Sequence, residues 1–260
     1  MLSQAQIDFF HANGFVNGGH VLSDNEVETL RDERMRGIEQ RERTDISQPV
    51  LVRNLSRNES APVWQIVNIW MASEPFRQLT AHPQITKGLA QLTQAQELRI
   101  WHDQIQYKPP EIGGVNHWHQ DAPLWPIIAP LTEGKGWGGV GGADGSNGCM
   151  SMVPGSHRWG NNIAFLNTLK GFEEMPDHFA DHPVQVVRCP VKKGEVHYHH
   201  SLTWHASHAN TSGRPRRAIA LHYMTQETRF VAAGNHVMKP FVHVADGELM
   251  RDAAFPLVYP

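Results

Sequence analysis

The sequence predicts an α+β fold, mainly β: a β-sandwich or jelly roll braced by helices at its N-terminal end. Three observations carry this reading. Capped helical patterns occupy the first part of the chain, short β-like segments separated by turn residues run from Gln94 to about Val231, and no repeat or composition break divides the 260 residues. Chains of this length with β-sandwich or barrel texture commonly form one domain. One domain over 1–260 is therefore expected, with a helical part over about 1–97 and a sheet core over about 98–231.

The elements follow in order. Ser3 with Gln6, and Ser23 with Glu26, have the spacing at which a hydroxyl and a side chain three residues on satisfy each other's backbone N–H groups. The first pair opens a short helix carrying Ile7, Phe9 and Phe10. The second opens a longer one whose Val27, Leu30, Met35 and Ile38 keep one apolar side. From Pro62 to Gln94, residues such as Trp64, Ile66, Ile69, Trp70 and Phe76 read as a further apolar, mainly helical stretch. Leu98, Ile100, Trp101, Ile105 and Tyr107 then fit a strand that Pro109-Pro110 ends, because proline cannot donate to a ladder. Glu195–Ser207 reads as one strand with His197, His199, Ser201, Thr203, His205 and Ser207 on a single face, and such a polar face is costly unless it lines a site. After a polar turn in which Asn210 fixes the backbone, Arg216 opens another strand with Ala218, Ala220 and His222 on its side of the pleat.

Composition excludes several functions. A 40% hydrophobic and 19% charged composition is that of an ordinary soluble globular protein. A formal net charge of −3 gives no electrostatic case for nucleic acid or an anionic membrane as partner. Two cysteines, Cys149 and Cys189, are too few for a disulfide framework and read as small core residues, which suits a reducing compartment. Met1–Phe15 lacks a basic segment followed by a long apolar run, and no stretch nears the roughly 18 apolar residues of a membrane helix. A cytoplasmic protein acting on a small molecule is the expectation; oligomeric state is not legible.

The chemistry is concentrated in His119-Gln120-Asp121 and His205. Residues i and i+2 of a strand point the same way, so His119 and Asp121 can share one ion, with His205 arriving from a second strand. Two histidines and a carboxylate form the facial triad of non-haem iron(II) sites, which leaves positions open for a cosubstrate and O2. In a chain with 17 histidines the tripeptide alone would be a coincidence; its surroundings decide. An inward-facing Arg216 needs an anion, and a dicarboxylate would supply one through a bidentate fork.

Trp118-His119-Gln120-Asp121, Val153-Pro154-Gly155-Ser156-His157, the His205–Ser212 segment and Arg216-Arg217-Ala218 together resemble the phytanoyl-CoA dioxygenase family. So do the opening helix ending at Gly14-Phe15 and the Tyr107-Lys108-Pro109-Pro110 segment. The resemblance implies a cupin-like double-stranded β-helix and an oxygenase dependent on Fe(II), 2-oxoglutarate and O2. Carried over by position, it implies iron ligands at His119, Asp121 and His205, and a 2-oxoglutarate anchor at Arg216. It also implies a hydroxyl joining that anchor at Ser207, an aromatic pocket wall at Trp137, and a side chain against the C1 end at Gln104. Halogenating members have a small residue where this chain has Asp121, so the resemblance implies a hydroxylase-type enzyme.

One segment departs from the family pattern. After Trp137, where the family carries an apolar strand, this chain reads Gly138-Gly139-Val140-Gly141-Gly142, inside a stretch with eight glycines between Gly134 and Gly148. A wall thinned for a large substrate, a movable flap and an altered strand all fit that composition. Among other candidates, His117 lies on the ligand parity as a pocket wall, Trp125 is placed to reach the pocket mouth, and Trp64, Trp70 and Trp159 read as core. Two alternative functions remain open at this level: a non-catalytic metal- or ligand-binding jelly roll, and a zinc hydrolase or isomerase on the same ligands.

Overall fold

The computed structural model describes residues 1–54, 63–130 and 142–260, together with the backbone of Gly134–Gly139. The chain opens with α1 (Gln4–Asn13), β1 (Phe15–His20) and α2 (Asp24–Glu39). Both expected capping boxes are present: Ser3 and Ser23 accept from the backbone N–H of Gln6 and Glu26, whose side chains reach back to the caps. Next come β2 (Leu51–Asn54), β3 (Trp64–Val67), α3 (Glu74–Thr80) and α4 (Pro83–Thr93), and then β4 (Leu98–Lys108) and β5 (Asn116–His119). A short β6 (Ile128–Ala129) precedes β7 (Gly134–Gly139), β8 (Met150–Met152), the ribbon of β9 (His178–Phe179) with β10 (His182–Pro183), and β11 (Val187–Cys189). The chain closes with β12 (Glu195–His200), β13 (His205–Ser207), β14 (Arg216–Thr225), β15 (Arg229–Phe230) and β16 (Leu257–Tyr259).

These strands build two principal sheets. The larger runs β1-β12-β7-β14-β4-β3-β2, with β16 also on β4; the smaller runs β11-β8-β13-β5. Period-two alternation sorts the large sheet's side chains. Val196 and Tyr198 of β12, and Ile219, Leu221 and Tyr223 of β14, join the core with Leu30, Phe76 and Leu89 of the helices. Arg216, Ala218, Ala220 and His222 of β14 point the other way, into a cavity they share with His119, His205 and Ser207 of the small sheet. Behind the small sheet, Trp118, Trp204 and Leu166 pack a separate cluster. No helix among the described residues is long and apolar enough to cross a membrane.

Three expectations need correction. Trp64–Val67 is a strand, not the start of a helical stretch: it pairs with β2 and β4, and its β-branched and aromatic residues fit that pairing. The N-terminal part is therefore not only helical, since β1, β2 and β3 belong to the large sheet. Glu195–Ser207 is not one strand. β12 and β13 lie in different sheets, joined by a tight connection at Ser201–Trp204 in which Thr203 N–H donates to His200 O at 2.9 Å. His199 of β12 nevertheless meets His205 of β13 across this connection, with ring centroids 4.7 Å apart.

Gly134–Gly139, the first part of the glycine-rich segment, form an interior strand. The backbone of β7 pairs with β12 on one side and β14 on the other, with Trp137 opposite His197 and Ala220. The side chain of Trp137 lies outside the described residues.

Candidate metal centre

His119 and His205 sit directly opposite each other on β5 and β13. Their ring centroids are 4.1 Å apart. Asp121 is not on the strand with His119. It stands two residues on, in helical conformation at the start of the short turn Ala122–Leu124, and its N–H donates to Ser201 O at 2.9 Å. The carboxylate still reaches the histidines, with Oδ1 3.8 Å from His119 Nε2 and Oδ2 3.6 Å from His205 Nε2. One ligand atom from each of the three residues lies within 4.8 Å of the others, and no second such group occurs among the described residues.

The backbone sets which imidazole nitrogen is available. His119 Nδ1 lies 2.8 Å from His117 O, and His205 Nδ1 lies 2.9 Å from Thr203 O. A carbonyl oxygen only accepts, so each Nδ1 donates its proton and each Nε2 presents a lone pair to the same point. Metal–ligand bonds of about 2.1 Å place neighbouring donors about 3 Å apart, so small side-chain rotations suffice to close the triad on one ion. The donor set fits a facial-triad metal and leaves the cavity side open.

Residues around the triad hold it in place. His199 Nε2 lies 3.2 Å from Asp121 Oδ2, and its ring packs against His205. Gln120, fully buried, donates to Leu202 O at 2.7 Å and Gly160 O at 2.8 Å, and accepts from Asn162 N–H at 2.7 Å. Its backbone therefore cannot drift between the two ligands it separates. Burial, with His199 adding to it, pushes the His197 imidazole down to about 3, so this neighbour stays neutral.

A cavity of about 430 Å3 opens from the triad, within the range of small-molecule sites. Arg216 lies in it with 1% exposure; burial lowers its guanidinium only to about 10, so it keeps its charge. Asp121 is the only carboxylate among the described residues lining the cavity. Gln104 lines it from β4, opposite Ala220. Ser207 lines it as well, and its Oγ accepts from Lys108 Nζ at 2.8 Å. Trp125 reaches the cavity as expected. His117 does not: it is exposed, and only its carbonyl serves the site.

Sequence reasoning missed several lining residues. Gln106 accepts from Asn116 Nδ2 and lies 3.5 Å from Arg216 Nη1, linking β5 to β14. Its position two residues after Gln104 on one strand was the available signal. His102 and His236 line the same cavity too, the former with its ring centroid 4.2 Å from that of His222, which strand parity had already placed on the side of Arg216.

Comparison with known proteins agrees with this geometry. The family model for phytanoyl-CoA dioxygenase matches residues 10–218. Peroxisomal phytanoyl-CoA dioxygenase of Rattus norvegicus is 23% identical over 252 residues, which cover 89% of this chain and 71% of that protein. Among solved structures, the non-heme alpha ketoglutarate dependent carbocyclase SnoK from nogalamycin biosynthesis has a TM-score of 0.78 at 24% identity, covering 98% of this chain and 96% of its own. The epimerase SnoN, in complex with Fe3+, alpha ketoglutarate and nogalamycin RO, has a TM-score of 0.76 at 20% identity, covering 98% of each chain. On the match over residues 10–218, the chain belongs to the phytanoyl-CoA dioxygenase family.

Proposed function

We propose that this chain is a single-domain non-haem Fe(II)- and 2-oxoglutarate-dependent dioxygenase that hydroxylates a C–H bond of a small organic molecule. Its two sheets would form a double-stranded β-helix. The observation that carries the reading is one cavity holding both the converged His119, Asp121 and His205 donors and the buried Arg216. The SnoN complex with Fe3+ and alpha ketoglutarate supports the same pairing of metal and cosubstrate here.

His119, Asp121 and His205 would hold the iron. Arg216 and Ser207 would receive the distal carboxylate of 2-oxoglutarate, with Gln104 against its C1 end and Trp137 in the cavity wall. When bound, the iron couples O2 activation to conversion of 2-oxoglutarate into succinate and CO2. The chain's own work is positioning. The buried guanidinium fixes one end of the cosubstrate in a site shielded from water, where a charge-assisted fork is strongest. The Nδ1–H bonds of the two histidines keep their Nε2 atoms on target. Asp121 occupies the position that a halide would need, which supports oxygenation over halogenation.

The cavity's size supports a small substrate over a whole acyl-CoA. Because SnoK and SnoN are a carbocyclase and an epimerase, product analysis must distinguish hydroxylation from ring closure or epimerisation. The buried thiols Cys149 and Cys189, the latter pushed up to about 12 by burial, support residence in the reducing cytoplasm.

Anaerobic titration with Fe(II) and 2-oxoglutarate tests the reading. A weak visible charge-transfer band should form in the wild type and be lost in Arg216→Ala. Iron binding with no band in the wild type would overturn the cosubstrate assignment. Production of succinate from 2-oxoglutarate in air would exclude both the zinc hydrolase and the non-catalytic readings.

A further inference from the structure

A lysine, Lys108, is buried at the end of β4. Lys108 pairs with Arg216 in the sheet and is 0% exposed. Its side chain crosses to the small sheet, where Nζ lies 2.8 Å from Ser207 Oγ, 2.7 Å from His208 O and 3.4 Å from Ser207 O. No carboxylate is among these partners. We propose that Lys108 is a positioning residue of the cosubstrate site: as an ammonium it donates to Ser207 Oγ and thereby commits the Ser207 hydroxyl proton to the cavity, toward an anion beside Arg216. The inference rests on the oxygenase reading above and adds to it a second cation that acts through a neighbour.

Donor arithmetic supports it. An ammonium has three N–H donors and no lone pair, and three acceptors surround Nζ. Two are carbonyls, which only accept. The third is a hydroxyl, which keeps one proton to donate. Once Nζ is an ammonium, no acceptor among the described residues takes that proton, while Ser207 lines the cavity that holds Arg216. A carboxylate oxygen there completes the set.

The charge state follows from the surroundings. Burial, and then the Arg216 guanidinium, hold the Lys108 amine down to about 6. The groups facing it are Arg216 from β14 and His208 just beyond β13; the latter is itself lowered, first by its own burial. A carboxylate arriving between Lys108 and Arg216 reverses this balance and favours the ammonium. Binding therefore takes up a proton.

A plain inter-sheet strap is the competing role, since Lys108 ties β4 to β13. The two roles separate in calorimetric titrations of the Fe(II)-loaded protein with 2-oxoglutarate, under anaerobic conditions at pH 7.5. Lys108→Met and Ser207→Ala should each weaken 2-oxoglutarate binding by about tenfold, and the double variant should be no more than about twofold weaker than Ser207→Ala. Wild type, titrated in two buffers of different ionisation enthalpy, should take up a fraction of a proton that Lys108→Met does not. Multiplicative losses in the double variant, or wild-type affinity in Lys108→Met, would overturn the proposal. Should Lys108→Met fail to fold, Ser207→Ala decides: unchanged affinity refutes the hydroxyl as donor, and a tenfold loss with proton uptake retained supports it. Absence of any 2-oxoglutarate binding in wild type would instead refute the oxygenase reading itself.

Discussion

At the residue scale the candidate centre depends on who holds whom. His119 and His205 are oriented by carbonyls two positions upstream in their own chain, so their aim is set by strand geometry. Asp121 stands off the strand and takes its orientation partly from His199, 3.2 Å from Oδ2. Partners that orient a ligand commonly contribute 10–100-fold to metal affinity. His199→Leu should therefore weaken Fe(II) binding by about that factor while leaving the chain folded, as read by competition with a chelator alongside near-ultraviolet dichroism. Unchanged affinity would make His199 a packing residue only. The convergence of His119, Asp121 and His205 was legible because these residue types are rare in combination. His199, Gln106 and Lys108 were not, because their roles depend on neighbours brought together from other strands. Lys108, for example, meets Ser207 from far along the sequence.

At the element scale, local rules worked where they are local. Both capping boxes and the Pro109-Pro110 stop rest on a few consecutive residues, and all three stand. So does Asn210, whose Nδ2 donates to Pro109 O and Arg214 O at 2.9 and 2.7 Å and pins the turn before β14. Trp64–Val67 was misread because an apolar run of that length suits either a helix or a strand until its pairing partners are known. The junction of α1 with β1 shows how an element is seated. Gly14 ends the helix at φ 83°, and its carbonyl accepts from His200 N–H and Thr203 Oγ–H, both at 2.8 Å. A Cβ there would lie 2.4 Å from His157 Nδ1 and 2.6 Å from Thr203 Oγ1. Gly14→Ala thus combines left-handed strain of about 1–2 kcal/mol with a steric clash against the connection between β12 and β13. Thermal unfolding should fall by at least about 4 °C; a change under one degree would mean that this connection yields freely.

Across the whole molecule, the unusual quantity is imidazole kept neutral by partial or full burial. His157, His200 and His236 are each pushed down to about 4 and His197 to about 3, with burial the leading cause in every case. These side chains belong to three parts of the fold: His157, in the turn after β8, lies against His200 with ring centroids 5.3 Å apart, His197 is on the other face of β12, and His236 lines the cavity from the segment beyond β15. Acid therefore acts on the fold as a whole. Between about pH 6.5 and 4 the unfolded chain binds protons at these positions and the folded chain does not, so stability falls as pH falls through that window. Above pH 6.5 all four are neutral in both states, and their contribution is fully present. The urea midpoint of the metal-free protein should accordingly be level from pH 8 to about 7 and then drop continuously toward pH 4, with the steepest loss near pH 5. A midpoint that stayed level down to pH 4.5 would mean that these imidazoles gain protons in the folded chain as readily as in the unfolded one. Their surroundings would then be open enough to water to hydrate all four in the folded chain.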